Sequence, residues 1–390
     1  MDYGELFIGA ILGAIGSHFF TKFADKFTAK FSKRVKDKKL KKYLKKYDSE
    51  LEKNVIAIDH AAPLYRLENI ELTIKKEHFF LSTETALIEE LTKLRFKLNS
   101  LNVFGDKLAE LERSTNINGL SGLIDHSSVT VANELVEKIR QGHIRFNGKL
   151  FGVRRAFGGR TPEDEEATLK IEFYETDYFT YLVMNDVYSR LKNSGFKFYF
   201  ANSFVSLRRY YPFMPSFGLA CFTIFDRGNG EEVLLCHRSE HLEAFPNNWH
   251  FSMNEALSLK DLDSDKIEKT PSFKTCLFRG LKEELGIEKT RVKEFGFMDF
   301  WLGTERCELG ILSYAKIKID KNYSFDDFLK AYSIAQDSEL ETQNWRLEKV
   351  KEIPRFVEDN SELLSAPCKK GLEYLSSRYN AGYLKEQNSH

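Results

Sequence analysis

Cysteines in any motif spacing are missing from this chain. The five it has, Cys221, Cys236, Cys276, Cys307 and Cys368, include no CxxC pair. That argues against a zinc site and a disulfide framework, and favours a reducing cytoplasm. Net charge is missing as well, since 58 Lys and Arg offset 58 Asp and Glu, and no DNA partner is expected. No segment has the composition of disorder: the 33 Phe are spread along most of the chain, which implies real cores. A length of 390 residues suits two or three globular domains.

Long apolar runs are lacking apart from one. LFIGAILGAIGSHFF, Leu6–Phe20, falls short of the ~20 residues of a spanning helix. Extension over Tyr3–Phe23 restores the length if Glu5 and Lys22 snorkel. Acids precede the run and lysines follow it, the reverse of a signal peptide. Residues 1–23 are therefore expected to be a single-pass membrane anchor with the bulk of the chain cytoplasmic. Gly9, Gly13 and Gly16 give that helix a small-residue face, so a homo-oligomer is expected. Between Lys22 and Lys46 stand twelve Lys or Arg and two acids, and Phe19, Phe23, Phe27 and Phe31 recur at helical spacing. Residues 24–47 read as a basic amphipathic helix for membrane lipid. The basic run would also fit nucleic acid, and a solvated helix face, or packing on another subunit's helix, gives the same pattern.

Residues 48–212 alternate between helical and strand-like patterns and form an α/β middle domain without a chemical motif. Glu84–Leu101 and the stretch ending at Gly142 have helical spacing, and Ala167–Phe179 alternates like a half-buried strand. In VRRAFGGR, Arg154, Arg155 and Arg160 surround a Gly-Gly pair. Such a cluster can hold an anion; surface arginines in a flexible loop look the same.

From Gly218 the pattern sharpens. GLACFTIFD and EEVLLCHRS flank RGNG as a β-hairpin. AFPNNWHFSMNEAL contains a short strand. TPSFKTCLFRGLKEELGI, Thr270–Ile287, carries full helix signals: Thr270 to cap, Pro271 for the first turn, Gly286 for the left-handed residue past the end. Cys276, Leu277, Leu281 and Leu285 make its buried stripe. Two strands and a closing helix follow, and residues 359–390 supply a last helix and tail. The expected fold class is α+β.

This order and these residues resemble the Nudix superfamily over residues 213–358. The family box reads G-x5-E-x7-R-E-U-x-E-E-x-G-U, where U is aliphatic. Its second half is matched at Arg279, Leu281, Glu283, Glu284, Gly286 and Ile287. The resemblance implies a mixed sheet between helices and Mg²⁺-dependent (or Mn²⁺-dependent) hydrolysis of nucleoside diphosphate derivatives. Glu283 and Glu284 would hold the metal, which neutralises phosphoryl charge and lowers the pKa of the attacking water. Arg279 would brace the acids.

The match is incomplete. Gly280 stands where the family has Glu, Asp265 where it has the first Gly, and Pro271 where it has the first Glu. A helical Gly costs roughly 1 kcal/mol against Ala, so close backbone approach by a ligand or by the sheet is expected at Gly280. Replacement carboxylates are sought in Glu255, before the box, and in Glu305 or Glu308, after it.

Two functions follow. In one, the protein binds a nucleotide or cyclic nucleotide and acts as an effector through its membrane helix. Its layout is similar to antiphage (CBASS) effectors that answer cyclic oligonucleotides. In the other it is a hydrolase. The lost Glu favours the first, and the retained Arg279, Glu283 and Glu284 favour the second.

Overall fold

Strand and helix choice follows the side-chain period in this chain, as seen in a computed structural model. It describes residues 32–45, 55–58, 64–99, 111–142, 146–162, 165–200, 203–228, 230–240, 245–263, 269–335 and 342–384. The chain divides into two units, Glu52–Leu375 and a smaller one of Met1–Leu51 with Ser376–His390.

In the larger unit, the strands are β1 (Val55–Ile58), β2 (Ile70–His78), β3 (Lys149–Arg160), β4 (Ala167–Asp177), β5 (Phe217–Asp226), β6 (Glu231–Arg238), β7 (Trp249–His250), β8 (Met253–Ala256), β9 (Val292–Gly303), β10 (Glu308–Ile317) and β11 (Thr342–Lys349). Its helices include α1 (Thr85–Lys93), α2 (Leu120–Arg140), α3 (Tyr178–Asn193), α4 (Phe273–Leu285), α5 (Phe325–Ser333) and α6 (Ile353–Asp359). Helix α7 (Ala366–Ala381) begins in this unit and ends in the smaller one.

The larger sheet runs β1-β9-β10-β5-β6-β11, with β7 on β6 and β8 on β5. It is mixed: β5 and β10 pair in parallel from Phe217↔Leu309 to Phe225↔Ile317, and their other pairings are antiparallel. Both strands are buried almost throughout, as apolar runs covered on two faces must be. One edge of β5 is shared, β8 taking Gly218–Cys221 and β6 taking Ile224–Asp226. That split sets β8 beneath α4. Strand β1 pairs with β9, so the larger sheet also draws on residues before 213.

The smaller sheet runs β2-β4-β3. It shares a core with the larger one: Phe173 of β4 meets Phe217 of β5 edge-on at 5.5 Å, and Phe217 stacks on Phe273 of α4 at 5.3 Å. Each such pair adds about 0.5–1.5 kcal/mol to the area it buries. The fold is α+β, as expected.

Several local expectations change. The helix expected over 84–101 ends at Lys93, where Arg95 takes a positive φ of 64°. The one ending at Gly142 starts earlier, at Leu120. VRRAFGGR is part of strand β3 rather than a loop. Helix α4 is capped by Ser272, whose Oγ accepts from Thr275 N at 3.2 Å. Thr270 and Pro271 do not start it because they are tied back to Asp263 and Leu262. Gly286 does close it, at φ 66°, with Ala331 so near that a Cβ would lie 2.5 Å from its carbonyl oxygen.

The expected membrane anchor is not upheld. Among the described residues no helix is long and apolar enough to cross a membrane. The first described helix, residues 32–45, carries eight Lys or Arg, too many for a hydrocarbon core. Residues 1–23, on which the anchor was placed, lie outside the described residues, as do Phe27 and Phe31 of 24–47. The assignment to a membrane is withdrawn.

His250 on β7 tests the buried core. It is 3 % exposed, and its Nδ1 is hydrogen-bonded to Ser365 Oγ. Burial, aided by the charge of Arg238, pushes its pKa well below 6.5. The unfolded chain takes up this proton near pH 6.5 and the folded chain does not, so stability falls as pH drops below that value. Urea unfolding should lose roughly 1 kcal/mol between pH 7.5 and 5.5 from this group. His250→Gln should flatten that part of the profile, and an identical slope in the variant would refute the assignment.

Candidate functional site

Arg279 projects from the α4 face that meets β8, and four acids surround it or lie one turn away. Its Nε donates to Asp261 Oδ1 at 2.8 Å and its Nη2 to Asp261 Oδ2 at 2.9 Å. Its Nη1 donates to Glu283 Oε2 at 3.0 Å and is also ion-paired with Glu255 of β8. A further bond from Nη2 reaches Ala256 O at 3.1 Å. The fork on Asp261 is the bidentate geometry that only Arg supplies. Arg279 and Glu283 sit four residues apart on one helix, as an i,i+4 pair requires.

Asp261 was not singled out in the sequence. It is fully buried, at the end of a short 3₁₀ turn, Leu259–Asp261, capped by Ser258. Ser258 N donates to its Oδ2 at 2.8 Å and Ser258 Oγ at 3.1 Å. The signal was present as S-L-K-D, the spacing of a capping box. Burial pushes the Asp261 carboxyl up to about 6, while the Ser258 donors pull the other way. Burial, with Asp261 close by, pushes the Cys276 thiol well above its usual range, so Cys276 is no thiolate nucleophile.

Glu284 faces the strand itself. It is 8 % exposed, and both carboxylate oxygens accept from Asn254 N of β8 at 3.2 Å. Exposed Lys260 approaches Glu283 Oε1 at 3.8 Å, a contact worth little in water. Glu308 is engaged elsewhere: Tyr181 Oη donates to it at 2.5 Å and Arg306 Nε lies at 3.0 Å. Thus the structure gathers Glu255 and Glu283 on Arg279, adds Asp261, sets Glu284 against β8, and leaves Glu308 with Tyr181 and Arg306.

Packing by β8 accounts for the lack of a side chain at Gly280. A Cβ there would lie 2.7 Å from Glu255 Cγ and 2.8 Å from Met253 Sδ. It is the sheet, through β8, that needs the close approach. Glu255 therefore comes from the strand into space that a helical Glu at 280 would enter.

Whether these residues suit a divalent cation follows from their partners. Arg279 takes Asp261, Glu255 and Glu283, while Glu284 is turned to a backbone N–H. Among the described residues no group of three or more His, Cys, Asp or Glu is arranged to hold a metal ion. The donor set as arranged does not fit Mg²⁺ or Mn²⁺, and no reaction step is assigned to one.

The network makes two stability predictions. Arg279→Met removes the cation from a buried acidic group and should cost about 3–5 kcal/mol in urea unfolding; a loss below about 1 kcal/mol would show the pairs to be surface-like. Gly280→Glu should destabilise by about 1–3 kcal/mol through overpacking against Met253 and Glu255. Unchanged stability would mean that β8 yields freely.

No protein-family model and no curated protein matches the sequence. Among solved structures, an Ap4A hydrolase of C. elegans is 16 % identical; the alignment covers 43 % of this chain and 98 % of that one, with a TM-score of 0.26. The NUDIX domain of Shewanella oneidensis NrtR, complexed with ADP ribose, is 12 % identical over 42 % of this chain and 86 % of that one, with a TM-score of 0.25.

Proposed function

We propose that the protein works by binding a nucleotide or cyclic nucleotide, on a Nudix-like α+β framework, without cleaving a phosphoanhydride bond. One observation carries this: the guanidinium of Arg279 occupies the centre of the acidic group, holding Asp261, Glu283 and Glu255 together. Carboxylates tied in that way brace the helix against the strand instead of presenting open oxygens to a metal–phosphate complex. The position that would add a third helical acid is Gly280, closed by Met253 and Glu255. A cyclic phosphodiester suits such a protein, because it offers no phosphoanhydride to attack. A ligand-responsive role of the antiphage-effector kind belongs to the same proposal.

The test uses the full chain with Mg²⁺ or Mn²⁺ and a panel of nucleoside diphosphate derivatives, beside Glu284→Gln. No turnover above that variant is expected, together with saturable binding of at least one nucleotide or cyclic nucleotide in calorimetry. Turnover that Glu284→Gln abolishes would instead make the protein a metal-dependent hydrolase.

A further inference from the structure

A cleft far from the acidic helix in sequence is built from the motif that the middle segment left unexplained. The second half of β3, Arg155–Arg160, forms one wall, and residues Ser203–Arg208 form the other. The second wall contains a one-turn helix, Phe204–Leu207. The cavity is about 490 Å³, inside the roughly 300–1,000 Å³ range of small-ligand sites.

Its charge is of one sign. Arg155, Arg160 and Arg208 line it, and no Asp or Glu stands among the described lining residues. Arg155 has one acid at the limit of pairing distance, Glu172 at 3.9 Å. Arg160 and Arg208 are exposed and have no ion-pair partner among the described residues. Three guanidiniums facing one cavity repel each other, and an anion with several oxygens relieves that repulsion through charge-assisted hydrogen bonds.

Apart from Ser203, the remainder of the lining is apolar or glycine. Phe157 is 47 % exposed and Val205 83 %, a patch that water covers at a cost unless a flat or apolar body rests there. Phe204 is anchored on Phe300 at 5.2 Å, so this wall is tied to the larger sheet. Gly158 and Gly159 carry no side chain into the cleft, which lets a ligand approach the strand backbone.

We propose that this cleft binds a small organic diphosphate of the nucleoside diphosphate class, its phosphates on Arg155, Arg160 and Arg208 and its planar body beside Phe157. Its ligand class overlaps the function proposed above, but the site does not need the acidic helix.

The full chain is titrated with ADP, adenosine and inorganic pyrophosphate at low ionic strength. ADP should bind saturably and more tightly than either fragment. The double variant Arg160→Ala with Arg208→Ala should weaken ADP by at least about tenfold, since a hydrogen bond to a charged group is worth that order. Lys330→Ala, an exposed cation on α5, should leave ADP binding unchanged. Phe157→Ser should bring ADP down toward pyrophosphate without altering pyrophosphate itself. An unchanged melting temperature in each variant shows that folding is not the cause. ADP binding that survives the double arginine variant overturns the cleft while leaving a nucleotide-binding role intact, and so does an equal loss in Lys330→Ala. A wild-type chain that shows no saturable ADP binding overturns the cleft as well.

Discussion

One guanidinium holds helix α4 to the sheet. Arg279 bonds to a fully buried aspartate, to a glutamate one turn along its own helix, and to the strand below through Glu255 and the Ala256 carbonyl. Three elements of the chain, α4, the 3₁₀ turn and β8, therefore meet at one side chain. Desolvating that many charges is costly unless each finds a partner. Arg279 supplies five donors in a rigid plane, which is why Lys would not replace it. The consequence for function is direct. Acids engaged in bracing a fold are poorly placed to exchange ligands around a metal.

Gly280 and the aromatic core set the distance at which this bracing operates. Phe273 stacks on Phe217, which meets Phe173 of the smaller sheet, so α4 is fixed at its N-terminal end by packing. Further along, absence of a side chain at 280 lets the helix settle on Met253 and Glu255. Interiors are close-packed, so a helix seated at that depth cannot also carry a side chain there. The bare position at 280 and the place taken by Glu255 are two sides of one packing choice.

Much of this was legible in the sequence, and the remainder was hidden for physical reasons. The helix with its apolar stripe and Gly286 stop followed from local spacing, as did the apolar strands β5 and β10, whereas its cap at Ser272 in place of Thr270 did not. Close backbone approach at Gly280 followed from the cost of glycine in a helix, though which neighbour approached did not. Asp261 escaped because its role depends on a fold-back from the 3₁₀ turn to α4, a contact eighteen residues apart. Strand β1 escaped because four residues pair with β9 across more than two hundred positions. The arginines of VRRAFGGR were noticed, but a strand and a loop with that composition differ only in their partners. The membrane expectation rested on hydropathy and flanking charge in residues 1–23, which lie outside the described residues.

The placement of charge within the larger unit gives the two halves of the molecule different chemistry. At α4 the cation is enclosed by carboxylates, and an incoming phosphate would meet a predominantly acidic surface. Across β3 the guanidiniums face a cavity with no acid among its described lining residues. Coulomb attraction is strongest where opposing charge has not already been supplied by the protein and where water is partly excluded. An anionic ligand is therefore drawn to the arginine cleft rather than to the motif that first suggested phosphate chemistry. Phe204, standing in the cleft wall and packed on Phe300 of β9, ties that wall to the sheet on which α4 rests.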